Sequence, residues 1–230
     1  MHANVAIPSQ CANKCKRDFL FRGVQATIRD ALILDEESLY STTDQVTAEK
    51  IASDLSTFLP NTATVTDATA CIGGSTFAFA NVFERVNAVE IDPMRFEYLK
   101  HNLVTLKCDI MSNIVCINGD AIVECERMPG GQDAIFIDPP WGGPEYKNKG
   151  KVSLYLSGVP LADVCKNFAT HTRYIVLKVP VNFDEANFMA ATMDALTLIH
   201  KNTHLRKMHL LIFQSDNFGV GVGVGVGVGI

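Results

Sequence analysis

No apolar run in this 230-residue chain reaches the roughly 18 residues that a bilayer span needs, so no transmembrane helix is expected. The opening Met1-His2-Ala3-Asn4 lacks a basic segment leading into a long apolar one, and no secretory signal is read there. Cysteines at zinc-type spacing are missing too. The seven cysteines, at 11, 15, 71, 108, 116, 125 and 165, form an odd, scattered set without a Cys-x2-Cys pair, which fits reduced thiols in a reducing compartment. Cys11 and Cys15 match His200, His204 and His209 by ligand type, but without a zinc-type pair no metal is expected. Positive charge is not in excess either. A net charge of −5 argues against a surface that coats nucleic acid, though a local patch would suffice for a small charged ligand such as a nucleotide. These absences imply an intracellular protein, nuclear or cytoplasmic, with no membrane or metal partner and expected to be a monomer.

What is present is a core. Hydrophobic residues make up 47% and charged residues 20%, enough for one buried globular domain with a short extension. Residues 1–35 have no sustained period and read as an arm with one short helix, within an N-terminal extension over 1–42. Thr43 and Asp44 offer cap chemistry ahead of a helical stripe of Val46, Ala48, Ile51, Ala52, Leu55 and Leu59, ended by Pro60. Short apolar strands then alternate with helices. The strands are expected at 64–66, 86–91, 113–118, 134–137 and 174–178. Helices are expected at 75–83, from Pro93 to Leu103, at 120–126, near 160–169 and at 184–195. Two last strands, about 196–201 and 206–214, flank Lys201-Asn202-Thr203-His204 as a hairpin. The order predicts a doubly wound α/β fold: a mostly parallel seven-stranded sheet over residues 43–215 with an antiparallel C-terminal hairpin. Residues 216–230, dominated by repeated Gly-Val, read as a flexible low-complexity tail.

Three strand ends carry the first chemistry. Asp67-Ala68-Thr69-Ala70-Cys71-Ile72-Gly73-Gly74 links a strand to a helix, with glycines that permit close backbone approach to a ligand and free N–H groups at the helix start. Alone, such a turn is common in α/β proteins. Glu90, ending the next strand about 20 residues on, is placed to accept hydrogen bonds from ribose hydroxyls, while Asp92 caps the helix that Pro93 opens. Asp120, ending a third strand, can hold an adenine amine, cap a helix, or do both.

The most informative stretch is Ile135-Phe136-Ile137-Asp138-Pro139-Pro140-Trp141-Gly142-Gly143-Pro144-Glu145-Tyr146. A buried strand leads into a carboxylate, two prolines that stiffen the turn, and the chain's single tryptophan. A flat aromatic in a stiff loop is a stacking platform for a nucleobase. Asp138 and the Pro139 carbonyl can accept both protons of an exocyclic base amine, whose lone pair is otherwise delocalised into the ring. Methyl transfer to that nitrogen depends on orientation and on favourable electrostatics as positive charge develops.

These motifs resemble the trimethylguanosine synthases, RNA cap guanine-N2 methyltransferases of the Rossmann-like class I fold that use S-adenosylmethionine. The likeness runs from about Tyr40 to Asp184. Its signatures are Tyr40-Ser41-Thr42-Thr43, Asp67-Ala68 with Gly73-Gly74-x-Thr76, the Pro139 to Tyr146 loop, and Pro180-x-Asn182. The resemblance implies that Thr43 and Asp67 touch the methionine end of the cofactor and Glu90 its ribose, with Gly73 a further cofactor-binding residue in the same loop. It implies that Trp141, with Tyr146 in the same loop, binds the cationic 7-methylguanine, and that Lys16 and Arg17 in the basic stretch Lys14 to Arg22 lie near the cap phosphates. Capped RNA would be the partner. Cys71, Asp138 and Val181 stand where that family usually has glycine, serine and arginine. Two other readings fit parts of the pattern: an N2-guanine or N6-adenine methyltransferase acting on ribosomal RNA, transfer RNA or DNA, and a non-catalytic cap-binding protein on the same fold.

Overall fold

The structure is a computed structural model that describes residues 9–106, 111–128, 131–205 and 207–219. Its strands are β1 (Thr64–Asp67), β2 (Arg85–Glu90), β3 (Ile114–Asn118), β4 (Gln132–Ile137), β5 (Tyr155–Leu156), β6 (Val159–Pro160), β7 (Thr172–Pro180), β8 (Leu196–Leu205) and β9 (Met208–Ser215). Seven of them form one sheet in the order β3-β2-β1-β4-β7-β9-β8. The β2/β3, β1/β4 and β4/β7 pairs are parallel, and β7/β9 and β8/β9 are antiparallel. This is the expected Rossmann-like sheet with its closing hairpin. The apolar runs explain it: Ala134 to Ile137 and Ile175 to Leu177 are essentially unexposed, as strands covered on both faces must be.

The chain divides into two compact units, one of residues 1–62 with 70–119 and one of 63–69 with 120–230. Unit one holds α1 (Ser9–Leu20), α2 (Ala26–Asp30), α3 (Ser38–Ser41), α4 (Gln45–Leu55), α5 (Gly74–Ala80) and α6 (Pro93–Thr105). Where an arm with one short helix is expected, the described residues form three helices. Leu20, Phe21, Leu32 and Leu39 are buried in one cluster with Ile72 and Leu106, joined by Ile28 and Tyr98. The apolar residues are too widely spaced for a helical period, which is why the sequence hid this packing. In α4, Ala48, Ile51, Ala52 and Leu55 form the buried stripe, whereas Val46 is half exposed and Leu59 is buried beyond the helix end. Helix α6 starts as read from the sequence, with Pro93 in the first turn and the Asp92 carboxylate accepting the Arg95 N–H at 2.8 Å.

Unit two adds α7 (Ala121–Glu126), α8 (Leu161–Phe168) and α9 (Glu185–Thr192). Helix α8 buries Leu161, Val164, Cys165 and Phe168, a 3–4 residue spacing that makes one apolar face. A two-stranded ribbon of β5 and β6 precedes α8. Its turn, Ser157-Gly158, has both φ values positive, 49° and 81°, as a two-residue hairpin requires. The expected turn at Lys201-Asn202-Thr203-His204 belongs instead to β8, which runs on to Leu205 with register shifts at Leu198/His200 and Asn202/Leu205. As an edge strand, β8 can carry polar residues outward without losing its partner. The Gly-Val repeat from Val220 onward lies outside the described residues.

Asn102 ties unit one together. Unexposed on α6, its Oδ1 accepts the Ile33 N–H at 2.8 Å, and its Nδ2 donates to the carbonyls of Ile33 at 2.9 Å and Ile72 at 3.3 Å. Asn102→Leu removes the partner of one buried carbonyl, that of Ile72, and of the partly buried Ile33 N–H and carbonyl, at about 1–3 kcal/mol for a group left dry. Chemical unfolding should show a loss of about 2 kcal/mol or more. Asn81→Ala, which removes one exposed bond to the Phe77 carbonyl, should stay within about 0.5 kcal/mol of the parent. Equal losses would contradict this role for Asn102.

Candidate active site

In unit two, β1 and β4 are the neighbours at which the strand order reverses, the place where open α/β sheets bind ligands beyond the strands' carboxyl ends. Asp67 ends β1 with no exposure, and its Oδ1 receives the Thr69 N–H at 3.3 Å. The Ala68 N–H extends the pairing to the Phe136 carbonyl at 2.9 Å. Thr69 Oγ1 then accepts the N–H of Asp138 at 2.8 Å, so the loop leaving β1 fixes the head of the loop leaving β4.

Asp138 follows the last residue of β4, and its carboxylate is ion-paired with the ammonium of Lys178. Lys178 lies on β7 one step beyond the Ile137/Leu177 register pair and is 5% exposed. The same ammonium lies over the Trp141 ring, 5.1 Å from its centroid. Pro139 is buried and Pro140 exposed. Beyond Trp141 the chain turns through Gly142 and Gly143, both with positive φ (87° and 69°), a pair of conformations that side chains disfavour. It then enters a 3-10 turn, Pro144–Asn148, where the Tyr146 ring meets the indole edge-on at 5.2 Å and 81°. Asn182 Nδ2 donates to the carbonyls of Tyr146 at 2.8 Å and Lys149 at 2.9 Å, clamping this turn from the end of β7. Burial raises the Tyr146 phenol above its usual range. The indole Nε1–H is buried with no acceptor among the described residues. Asp120 caps α7 by accepting the Ile122 N–H at 2.9 Å, one of the two roles read for it.

In unit one, Glu90 ends β2 nearly buried, with Oε2 accepting the Cys71 N–H and Oε1 the Asp92 N–H, each at 2.8 Å. Desolvation raises its carboxyl above the usual range, although these two donors and the charge of Arg95 pull it down. Cys71 has φ 49°, a left-handed conformation held by the bond to Glu90, and its thiol is pushed up to about 12 by burial and by the Glu90 charge. Gly73 is the left-handed residue before α5. A Cβ on Gly74 would lie 2.7 Å from both Thr42 Cγ2 and the Thr43 carbonyl oxygen, so its missing side chain makes room for that segment. Thr43 itself is buried. Lys16 stands over the exposed Tyr40 ring at 3.0 Å, Arg17 reaches the Asp30 carbonyl at 3.4 Å, and Arg22 pairs with Asp44 at 2.5 Å. Among the described residues no cluster of ligand-type side chains could hold a metal ion, and Cys15, Cys71, Cys116, Cys125 and Cys165 are free thiols.

Lys178, Thr69 and the clamp made by Asn182 were missed as site residues. For Lys178 a signal exists: a lone charge closing the apolar run Tyr174 to Leu177 must find a partner if the strand is central.

The sheet order is that of the Rossmann-like methyltransferases. Among solved structures the fold is similar to a methyltransferase candidate from Porphyromonas gingivalis W83 (TM-score 0.63, 16% identity, covering 81% of this chain and 44% of that one). It is also similar to an RNA methyltransferase candidate from Pyrococcus horikoshii (TM-score 0.53, 14% identity, 76% and 87%). Residues 62–213 match the RNA cap guanine-N2 methyltransferase family, and the chain belongs to that family. Trimethylguanosine synthase of Schizosaccharomyces pombe is 31% identical over 159 residues, 67% of this chain and 65% of that protein. The Saccharomyces cerevisiae trimethylguanosine synthase is 26% identical over 173 residues, 71% and 55%. An uncharacterized protein, L320, of Acanthamoeba polyphaga mimivirus is 35% identical over 123 residues, 52% and 47%. The chain thus spans between about half and two thirds of the length of these relatives.

Because Glu90 is raised in the folded protein, the native state holds its proton more tightly than the unfolded chain does. Its contribution to stability is therefore greatest below about pH 4.3, the ordinary glutamate value, and falls as pH rises through the folded value. In unfolding series taken across that range, Glu90→Gln should flatten the descent; a slope identical to the parent's would show that Glu90 does not drive it.

Proposed function

We propose that this protein transfers a methyl group from S-adenosylmethionine to the exocyclic N2 amine of a 7-methylguanosine RNA cap. The main support is the Asp138-Pro139-Pro140-Trp141 corner at the switch point of the sheet, in a chain of a cap guanine-N2 family. S-adenosylmethionine supplies an electrophilic methyl on its sulfonium sulfur, which leaves as a neutral thioether. Glu90 is assigned the ribose hydroxyls. Its two backbone bonds use about half of a carboxylate's acceptor capacity, so the residue suits the group. Thr43 and Asp67 are assigned the methionine end, Gly73 the cofactor loop and Asp120 the adenine amine.

Asp138 and the Pro139 carbonyl accept the amine's protons and aim its nitrogen, and the proton released after N–C bond formation passes to Asp138 or to water. Trp141 offers the indole face opposite Lys178 to the 7-methylguanine cation. Tyr146 supports the platform edge-on. Lys16 and Arg17 are the candidates for the cap phosphates, which would compete with Tyr40 for the Lys16 ammonium. The carboxylate of the Asp-Pro-Pro-Trp tetrad also suits amine methylation of a base in another RNA or in DNA, the second reading.

Mass spectrometry of short RNAs after incubation with S-adenosylmethionine separates the two. One or more methyl groups should be gained on an RNA starting 7-methyl-GpppG and none on one starting GpppG. Methylation of both, or only of internal bases, would overturn the cap reading. Trp141→Ala should weaken cap binding about 10- to 100-fold, the worth of one stacked base. Asp138→Asn should lower kcat about a hundredfold or more while the cofactor still binds.

A further inference from the structure

The strongest feature that this mechanism leaves unused is the buried lysine beside the carboxylate. We propose that Lys178 is a positioning residue that holds Asp138 as an aimed, negatively charged acceptor and fixes the indole of Trp141 beside it. The proposal rests on reading Asp138 as the amine acceptor.

Lys178 sits in the interior of β7, register-paired with Leu210 on β9 and flanked on the other side by the end of β4. Its neighbours Ile175, Val176, Leu177 and Val179 are unexposed. An ammonium has no hydration in such a strand and is tolerated only if opposite charge replaces it. The register supplies that partner: Ile137 faces Leu177, so the next residue of each strand brings Asp138 to Lys178, and their side chains pair. With its backbone N–H held by Thr69 and its carboxylate by Lys178, Asp138 is gripped at both ends, although it opens a loop. The same ammonium lies over the indole, so one cation sets the acceptor and the platform in a common frame.

The charge itself matters as well as the grip. Among groups on the flanking elements, Asp67 at the end of β1 is a like charge, Tyr146 in the loop is neutral at physiological pH, and Lys178 brings the positive charge. An acceptor must be ionised to take an amine proton. Removing an adjacent cation from a half-buried carboxylate raises the pH at which it ionises by about 1–3 units.

The test is the pH dependence of kcat for methyl transfer to a 7-methyl-GpppG-capped RNA by wild type, Lys178→Gln and Lys178→Arg. Lys178→Gln keeps a hydrogen-bond donor and similar length without the charge. It should lose about tenfold or more at neutral pH, with its acid limb displaced upward by about 1–3 units so that activity recovers as pH rises. Lys178→Arg keeps the charge and should keep the wild-type limb even if its larger head lowers the rate. A Gln limb in the wild-type position, or an Arg limb displaced like that of Gln, overturns the proposal. Should Lys178→Gln fail to fold, the Arg profile still decides. Wild type that methylates no guanosine at any pH would instead sink the functional reading, so the two failures are distinct.

Discussion

A charge placed in the middle of a covered sheet must be answered by another, and in this protein that requirement joins the scaffold to the chemistry. Lys178 is buried because β7 is central, and it can be buried because the parallel register with β4 delivers Asp138. The pairing adds little net stability by the usual balance of desolvation against attraction, yet losing either partner would strand the other. What it secures is geometry. A carboxylate at the start of a loop would ordinarily sample several rotamers; here the strands decide its direction. The loop beyond it is then restrained in turn by two prolines, by two glycines in conformations other residues avoid, and by Asn182.

The elements legible in the sequence were those whose signal is local. Short apolar runs marked most strands of the large sheet, β-branched Thr64-Val65-Thr66 marked β1, and proline and aspartate marked the start of α6 to the residue. The strand-end acids were read in the right places because a strand end is a local feature too: Asp67, Glu90 and Asp138 stand where β1, β2 and β4 stop. What the sequence hid depends on tertiary contact. The Lys178 pairing needs the β4/β7 register, about 40 residues apart in the chain, and no window of sequence contains both partners. The hairpin turn was misplaced because Asn202 and His204 carry turn chemistry, whereas an edge strand accepts polar residues readily.

Glycine shows how one mark in a sequence can answer to two different neighbours. The turn after β1 reads as a backbone that approaches a ligand. In the structure Gly74 makes room for Thr42 and Thr43, and Gly73 lies against Leu99 and Leu103. Close approach to protein and close approach to a ligand leave the same mark in a sequence. Cys71 completes the point: a non-glycine residue takes a left-handed conformation in this loop because Glu90 accepts its N–H. The acid assigned to the ribose therefore also shapes the loop before any ligand arrives.

The family match begins at residue 62, but the physical unit does not. Ile72, in the loop after β1, is buried against Leu20, Phe21, Leu32 and Leu39, and the Asn102 side chain bonds the backbone of Ile33 as well as that of Ile72. The N-terminal helices thus cover one side of the loop that Cys71 and Gly73 belong to. Without them Ile72 and Leu106 would be left facing water, and Asn102 would lose its strongest partners. Burial of this kind is a constraint on conformation as much as a source of stability, since the loop can move only as far as its packed neighbours allow. The cover over the loop therefore extends beyond the segment that the family match spans, because Ile72 and Asn102 draw partners from residues 20–39.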